Sequence, residues 1–501
     1  MGSAKCSGDL PTSGTWNRAA RDQWIGRRYE QRARVWPTAS KGFTEAVAPR
    51  LLALCSVQQS RTTIIGAVDK LTRFYQLCDP LRPLEADETD LYVDWQNEIG
   101  PEDIKTRLAN SIVFSAGIPV TRLVTGHRGT GKTTELKRVK QRLESGQLRR
   151  KIFVSFLEAE EALDLQDVGA PDVVFHMVRQ LVSDLRDAGF SFGWERFTEF
   201  FREFGELLRS EVALKNVEVG AGPVKFGVAL KEVPSARPIL RRLLEGQLPR
   251  IYDLINQDVL VPARQFLKTK GFEDILLIVD QLDRIPQKVI NDRGLTNHEN
   301  LFLDHAGILR ALACDVILTL PIELAYSLRR VNLQTAYGAE ILALPVIPVH
   351  GRDGAPFEAG IAALRRMVEL RAKKAGLEIG QVFDQPELLD RFVGVSGGHL
   401  RSLFVLLRAA LERCDRLPIT AGLAELTIRR AANDLSLPLR ARQWQALEEI
   451  HRAKAPLEKP EDSGLWYELL RGLYVFTYED AGGLWYDWNP LLGEVPAGAR
   501  R

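Results

Sequence analysis

The sequence predicts an α/β fold with a parallel sheet at its core. Three observations carry that prediction. The octapeptide Gly126-His127-Arg128-Gly129-Thr130-Gly131-Lys132-Thr133 fits the pattern G-x-x-x-x-G-K-[ST] at every position. An apolar run over 120–125 precedes it, and a helical pattern over 134–139 follows it. Further near-continuous apolar runs recur downstream and alternate with helical patterns, as expected where both faces of a sheet are covered.

The loop comes first because its chemistry is the most explicit. Its glycines allow backbone N–H groups to close around phosphate oxygens. Lys132 is a mobile point charge for the β and γ phosphates. The Thr133 hydroxyl is suited to Mg²⁺ coordination, and Thr134 closes the motif. ATP and Mg²⁺ are therefore the expected cofactors.

The remaining elements follow in chain order. Residues 1–97 read as a mostly helical N-terminal region, with helical runs over 43–55 and 64–78. Trp24, Trp36 and Trp95 read as core residues. An ATPase domain is expected over 98–351. Its first strand is 120–125, its second 151–156, its third 274–280 and its fourth 315–320, and a fifth lies within 341–349. An amphipathic helix is expected over 171–187. Between the second and third strands, two alternating stretches flank Ala221-Gly222-Pro223, which predicts an inserted hairpin near 216–230. A long helix over 236–270 then returns to the sheet.

After residue 351 the pattern turns helical. Helices over 357–374, 385–393 and 400–414 form an expected lid spanning 352–435, and the third is introduced by Ser396-Gly397-Gly398-His399. Over 436–501 two helices (444–453 and 464–473) precede alternating runs 474–478 and 484–488, a winged-helix pattern.

Asp280 ends the third strand, where a carboxylate can hold Mg²⁺ beside Thr133. The next position, Gln281, can orient a water but cannot accept its proton, so slow hydrolysis is expected. Asp283 is the nearest alternative acid, able to polarise water or to pair with Arg284. Thr319, late in the fourth strand, is placed to sense the γ-phosphate. His399 and Arg401, at a helix start in the lid, are candidate nucleotide contacts. Arg329 and Arg330 follow the fourth strand and read as a solvated pair, with an arginine finger as the alternative.

Composition bounds the partners. Apolar content is 45%, charged content 26% and net charge +2 over 501 residues, ordinary for a globular chain and no argument for nucleic acid or membrane. The basic stretch Lys137, Arg138, Lys140, Arg142, Arg149, Arg150 and Lys151 reads as the exposed face of the helix after the loop. The cysteines are five and scattered, without metal spacing, which predicts reduced thiols in a cytoplasmic protein. No apolar run approaches the roughly 18 residues of a membrane helix, and the first eleven residues have no signal-peptide character.

A loop over 126–134 followed by Ile275-Leu276-Leu277-Ile278-Val279-Asp280 resembles the additional-strand P-loop ATPases. The run Ile278-Val279-Asp280-Gln281-Leu282-Asp283-Arg284 is similar to the Asp-Asp-Leu-Asp-Arg signature of KAP and NACHT-type ATPases, with Gln281 in place of the second acid. The order of ATPase domain, helical lid and winged helix resembles both the STAND branch and the initiator-type members of the AAA+ group. That resemblance implies a P-loop NTPase acting as a nucleotide-controlled switch, often oligomeric, with bacterial members serving in antiviral defence. Two functions follow: a regulatory ATPase that is an assembly platform for a separate effector, or a DNA loader binding duplex through the winged helix. Glu479, Asp480 and Asp487 in the expected wing disfavour DNA.

Overall fold

The computed structural model describes residues 69–191, 199, 237–457 and 462–500, apart from positions 101, 293, 497 and 499. All of them belong to the unit Asp69–Arg501. Trp24, Trp36, the helical run 43–55 and the hairpin expected near 216–230 lie outside the described residues.

Five parallel strands form the central sheet: β1 (Thr121–Thr125), β2 (Ile152–Glu158), β3 (Asp274–Asp280), β4 (Asp315–Thr319) and β5 (Ile341–Ala343). Their order is β2-β3-β4-β1-β5. β4 lies between the strand that leads into the loop and the strand that ends at Asp280, the position of the additional strand expected from the sequence. The register pairs Leu123 with Leu318 and with Ile341, and Glu158 with Asp280. Every residue of β3 is buried. Its side chains alternate between two cores, as a strand covered on both faces requires. Ile275, Leu277 and Val279 enter one core with Leu123 and Leu318, while Leu276 and Ile278 enter the other with Val124 and Ile317.

Among the described residues, the α-helices of five or more residues that accompany the sheet are, in chain order, α1 (Lys70–Leu77), α2 (Trp95–Ile99), α3 (Ile104–Val113), α4 (Lys132–Glu144), α5 (Ala170–Asp187), α6 (Arg237–Leu254), α7 (Val261–Thr269) and α8 (Arg330–Tyr337). The carboxylates of Asp69 and Asp103 cap α1 and α3 by accepting backbone N–H bonds from their first turns. Trp95 is buried, as expected. The helix expected over 236–270 is interrupted by a π-helical stretch, Ile255–Leu260, just before Pro262. Proline lacks the N–H that a continuous ladder needs. The fifth strand takes up the first three residues of 341–349. Leu344 N still bonds Thr125 O at 2.9 Å, but Val346 N turns to Thr477 O at 3.0 Å, so the chain leaves the sheet to meet the C-terminal hairpin.

Four longer helices follow as a lid layer: α9 (Glu358–Ala375), α10 (Glu387–Ser396), α11 (Leu400–Leu411) and α12 (Ala421–Ser436), with a single turn over Ile379–Val382 between the first two. The last was not anticipated from sequence. Then come α13 (Ala441–Ala453), α14 (Ser463–Arg471) and an antiparallel hairpin, β6 (Val475–Asp480) with β7 (Gly483–Trp488). These are the two helices and hairpin of the expected winged pattern. Phe476, Tyr478 and Trp485 bury against Val346. Among the described residues no helix is long and apolar enough to cross a membrane.

Candidate functional site

The loop from Gly126 to Thr133 joins the end of β1 to the start of α4. Gly126 and Gly129 hold φ values of 142° and 96°, a region that disfavours any side chain. Space confirms the requirement at Gly129, where a Cβ would stand 2.5 Å from the Cβ of Arg401. Lys132 begins α4 with its ammonium buried. Its Nζ donates to Gly126 O at 2.8 Å and His127 O at 2.9 Å, and it pairs with Asp283 Oδ2 at 3.0 Å. The Thr133 hydroxyl donates to Asp280 Oδ2 at 2.5 Å, and Gln281 N donates to Asp280 Oδ1 at 2.7 Å. Burial, reinforced by the Asp283 charge, raises the Asp280 carboxyl to about 6.

These groups line a cavity of about 420 Å³, within the usual range for a small-molecule site. The polar lining includes Lys132, Thr133, Asp280, Asp283 and Glu158, and Arg401 joins it to the apolar lining by donating Nε to Pro80 O at 3.4 Å. The apolar end has Pro80, Leu84, Leu91, Met367 and Phe404. Arg371 lies at that end, its guanidinium 4.4 Å from the centre of the Phe404 ring. Its Nε and Nη1 donate to Leu77 O and Met367 O.

The fold is that of a P-loop NTPase. The loop geometry fits a nucleotide triphosphate: a glycine cradle at a helix start, a buried ammonium, and hydroxyl and carboxylate oxygens 2.5 Å apart of the hard type that Mg²⁺ takes.

No protein-family model and no curated protein matches the chain. Among solved structures it is similar to a Walker-type ATPase of Pyrococcus abyssi at 13% identity, covering 83% of this chain and 99% of that one, with a TM-score of 0.39. It is similar to the ORC2 protein of Aeropyrum pernix in its ADP form at 14% identity, 84% and 94% coverage and a TM-score of 0.39. The Cdc6p of Pyrobaculum aerophilum gives 11% identity, 83% and 94% coverage and a TM-score of 0.34. Likenesses at these levels carry no argument about function, so the reading rests on the strand order and loop geometry of this chain.

The structure divides the sequence-derived candidates. Arg128, Gly129, Gly131, Lys132, Thr133, Thr134, Asp280, Gln281, Asp283 and Arg401 all line the cavity. Thr134 Oγ1 also accepts Leu84 N at 3.1 Å, joining the loop helix to the apolar end. Gly126, His127 and Thr130 are not among the lining residues. Thr130 Oγ1 instead donates to His127 O at 2.9 Å and braces the loop from within.

Three expectations need correction. Thr319 does not face the cavity. It is fully buried, and its Oγ1 accepts Leu282 N at 2.9 Å, tying β4 to the turn after β3. His399 does not reach the cavity either. Its Nδ1 accepts from Ser402 and its Nε2 donates to Arg128 O at 2.7 Å, so both ring nitrogens are occupied. Burial, chiefly, lowers its pKa to about 4 and keeps it neutral. Asp283 pairs with Lys132, whereas Arg284 pairs with Glu160. The exposed side chain of Arg329 pairs with Glu299 at 3.1 Å, and Arg330 donates to Ala325 O at 3.0 Å.

The basic helix is similarly accounted for. Lys137 pairs with Glu85 and Glu158, Lys140 pairs with Glu144, and Arg138 stacks on the Tyr92 ring. Sequence reasoning missed the segment 79–95, which builds the apolar end. Its one local signal is the Pro80-Leu81-Arg82-Pro83 punctuation ahead of Leu84. It also missed Glu158, whose signal is a carboxylate at the C-terminal end of a buried parallel strand.

Proposed function

We propose that this chain binds ATP with Mg²⁺, hydrolyses it slowly, and is a nucleotide-controlled switch and assembly platform for a separate effector. One observation carries the switch reading: the phosphate loop is clasped by both C-terminal parts of the unit. Thr477 N of the hairpin donates to His127 Nε2 at 3.0 Å. The lid supplies His399 to Arg128 O, and Arg401 N to Gly129 O at 3.2 Å. A change in loop geometry on binding phosphate therefore reaches lid and hairpin directly.

Lys132 would neutralise the β and γ phosphates, and Thr133 with Asp280 would hold the cation. Mg²⁺, when bound, supplies charge neutralisation across those phosphates. Arg401, which lines the cavity from the lid and donates its Nε to Pro80 O, would face the phosphates. Gln281 would not itself be the base, because its amide cannot accept a proton and is already hydrogen bonded on both sides; slow turnover is proposed because no acid directly follows Asp280. A nucleotide shifts assembly only by binding one conformation better than another. The antiviral role implied by the resemblance is proposed for the effector system, testable by phage plating with and without the parent gene and its neighbours.

The test is light scattering and pull-down of neighbouring gene products with ATP, with ADP and without nucleotide. ATP should change oligomeric state or partner affinity. Lys132→Ala should weaken ATP binding about 10- to 100-fold, from the loss of charged hydrogen bonds, and should blunt that change. A strict monomer without partners under every condition would overturn the switch reading. Salt-sensitive duplex binding lost on deleting residues 444–501 would replace it with the DNA loader.

A further inference from the structure

The acid missing after Asp280 is present on the neighbouring strand. Glu158 closes β2 directly opposite Asp280 in the parallel register, and it lines the same cavity as Lys132 and Thr133. Gln281 Nε2 donates to Glu158 Oε2 at 3.0 Å, and Gln281 Oε1 accepts Glu160 N at 3.4 Å. The glutamine is thus held between the strand-end glutamate and the backbone beyond it. It sits there at φ 67°, a left-handed conformation that costs a non-glycine residue roughly 1 kcal/mol or more. Such strain persists only where the surroundings impose it.

The other carboxylates of the cavity are committed elsewhere. Asp280 accepts from Thr133 and from Gln281 N. Asp283 is paired with Lys132. Glu135 is buried with Lys105 and Tyr92. Glu160 pairs with Arg284, and Asp79 with Arg408. Glu158 is held more loosely than Asp280 or Asp283: its Oε1 meets Lys137 Nζ at 3.4 Å, and its side chain is 27% exposed, so water can reach it from the same cavity.

We propose that Glu158 is the general base for ATP hydrolysis in this chain and that Gln281 is its positioning residue, the acid and amide being transposed between β2 and β3. The proposal rests on the ATPase reading above. In the step, a water oxygen forms a bond to the γ-phosphorus while the bond from that phosphorus to the β,γ-bridging oxygen breaks. The electron pair of the broken bond stays on ADP. The water proton passes to the Glu158 carboxylate and from there to solvent, leaving inorganic phosphate. No further reactant is required.

The test uses the full chain, single-turnover hydrolysis of ATP and binding of a fluorescent ATP analogue. Glu158→Gln keeps the hydrogen bond to Gln281 but removes the base. It should lower turnover by about 10²-fold or more while changing analogue affinity less than about threefold. The double variant Glu158→Gln with Gln281→Glu restores a carboxylate to the pair, and should recover at least about tenfold over Glu158→Gln alone. A Glu158→Gln protein that turns over like the parent overturns the proposal. So does one whose rate and analogue affinity fall together, which marks a structural role. A parent that binds ATP without hydrolysing it overturns the base assignment and leaves the binding reading standing. A parent whose analogue affinity matches that of Lys132→Ala overturns the binding reading itself.

Discussion

The backbone N–H of Thr477, in the C-terminal hairpin, donates to Nε2 of His127, in the phosphate loop, at 3.0 Å. The two residues are 350 positions apart in sequence. Because Nε2 accepts, the imidazole proton resides on Nδ1, and burial holds the ring neutral by lowering its pKa far below 6.5. The Phe476 ring meets His127 edge-on at 5.7 Å and stacks on His399 at 5.3 Å. One aromatic side chain thus touches the residues that join loop to hairpin and loop to lid.

Replacing His127 with Ala leaves Thr477 N–H buried without its acceptor. The expected loss of stability is about 1–3 kcal/mol, read by denaturant unfolding. Nucleotide-dependent changes in protease sensitivity of the hairpin should shrink in the same variant. Full retention of both would mean that the contact does not couple the two parts.

The His399 ring predicts a pH dependence. It is neutral when folded, with a pKa of about 4 against 6.5 for the free group, and it takes up a proton on unfolding. A histidine with a lowered folded pKa contributes its full stability above the unfolded value. That contribution is lost as pH falls from about 6.5 towards about 4, at up to roughly 1.4 kcal/mol per pH unit. His399→Asn should therefore be destabilised at neutral pH, and its gap from the parent should narrow as pH falls. Thermal melts at about pH 7 and about pH 5 check this, and a constant gap would contradict it.

Asp283 stands 3.0 Å from Lys132 and places a negative charge beside the proposed phosphate position. Asp283→Asn removes that charge and frees the ammonium, so ATP should bind several-fold tighter, about 1 kcal/mol. Calorimetric titration gives the affinity directly. Weaker binding would show that Asp283 helps to hold the cation or the lysine in place.

Gly129→Ala tests the seat of the lid on the loop. The new Cβ would press on Arg401 at a backbone φ of 96°, so a loss of about 1–3 kcal/mol is expected. Nucleotide affinity should fall with it. An unchanged melting temperature would mean that the loop and lid separate freely.

The sequence by itself determined the phosphate loop, the five strands and most of the helices. That information is local: the glycine and lysine spacing of 126–133, the apolar runs of β1 to β5, and the spacing of apolar positions in α9 to α11 all act within one element. It left out α12 and the π-helical break before Pro262, where periodicity alone does not mark the change. Only the tertiary structure decided that β4 inserts between β1 and β3, and that β2 sets Glu158 against Asp280. It also decided that residues 79–95 wall the apolar end of the cavity, and that His399 and Thr319 brace the site from behind. The physical reason is common to all of these. A side chain's chemical role depends on what packs against it, and those partners come from distant parts of the chain, chosen by burial of two sheet faces and by pairing of buried polar groups.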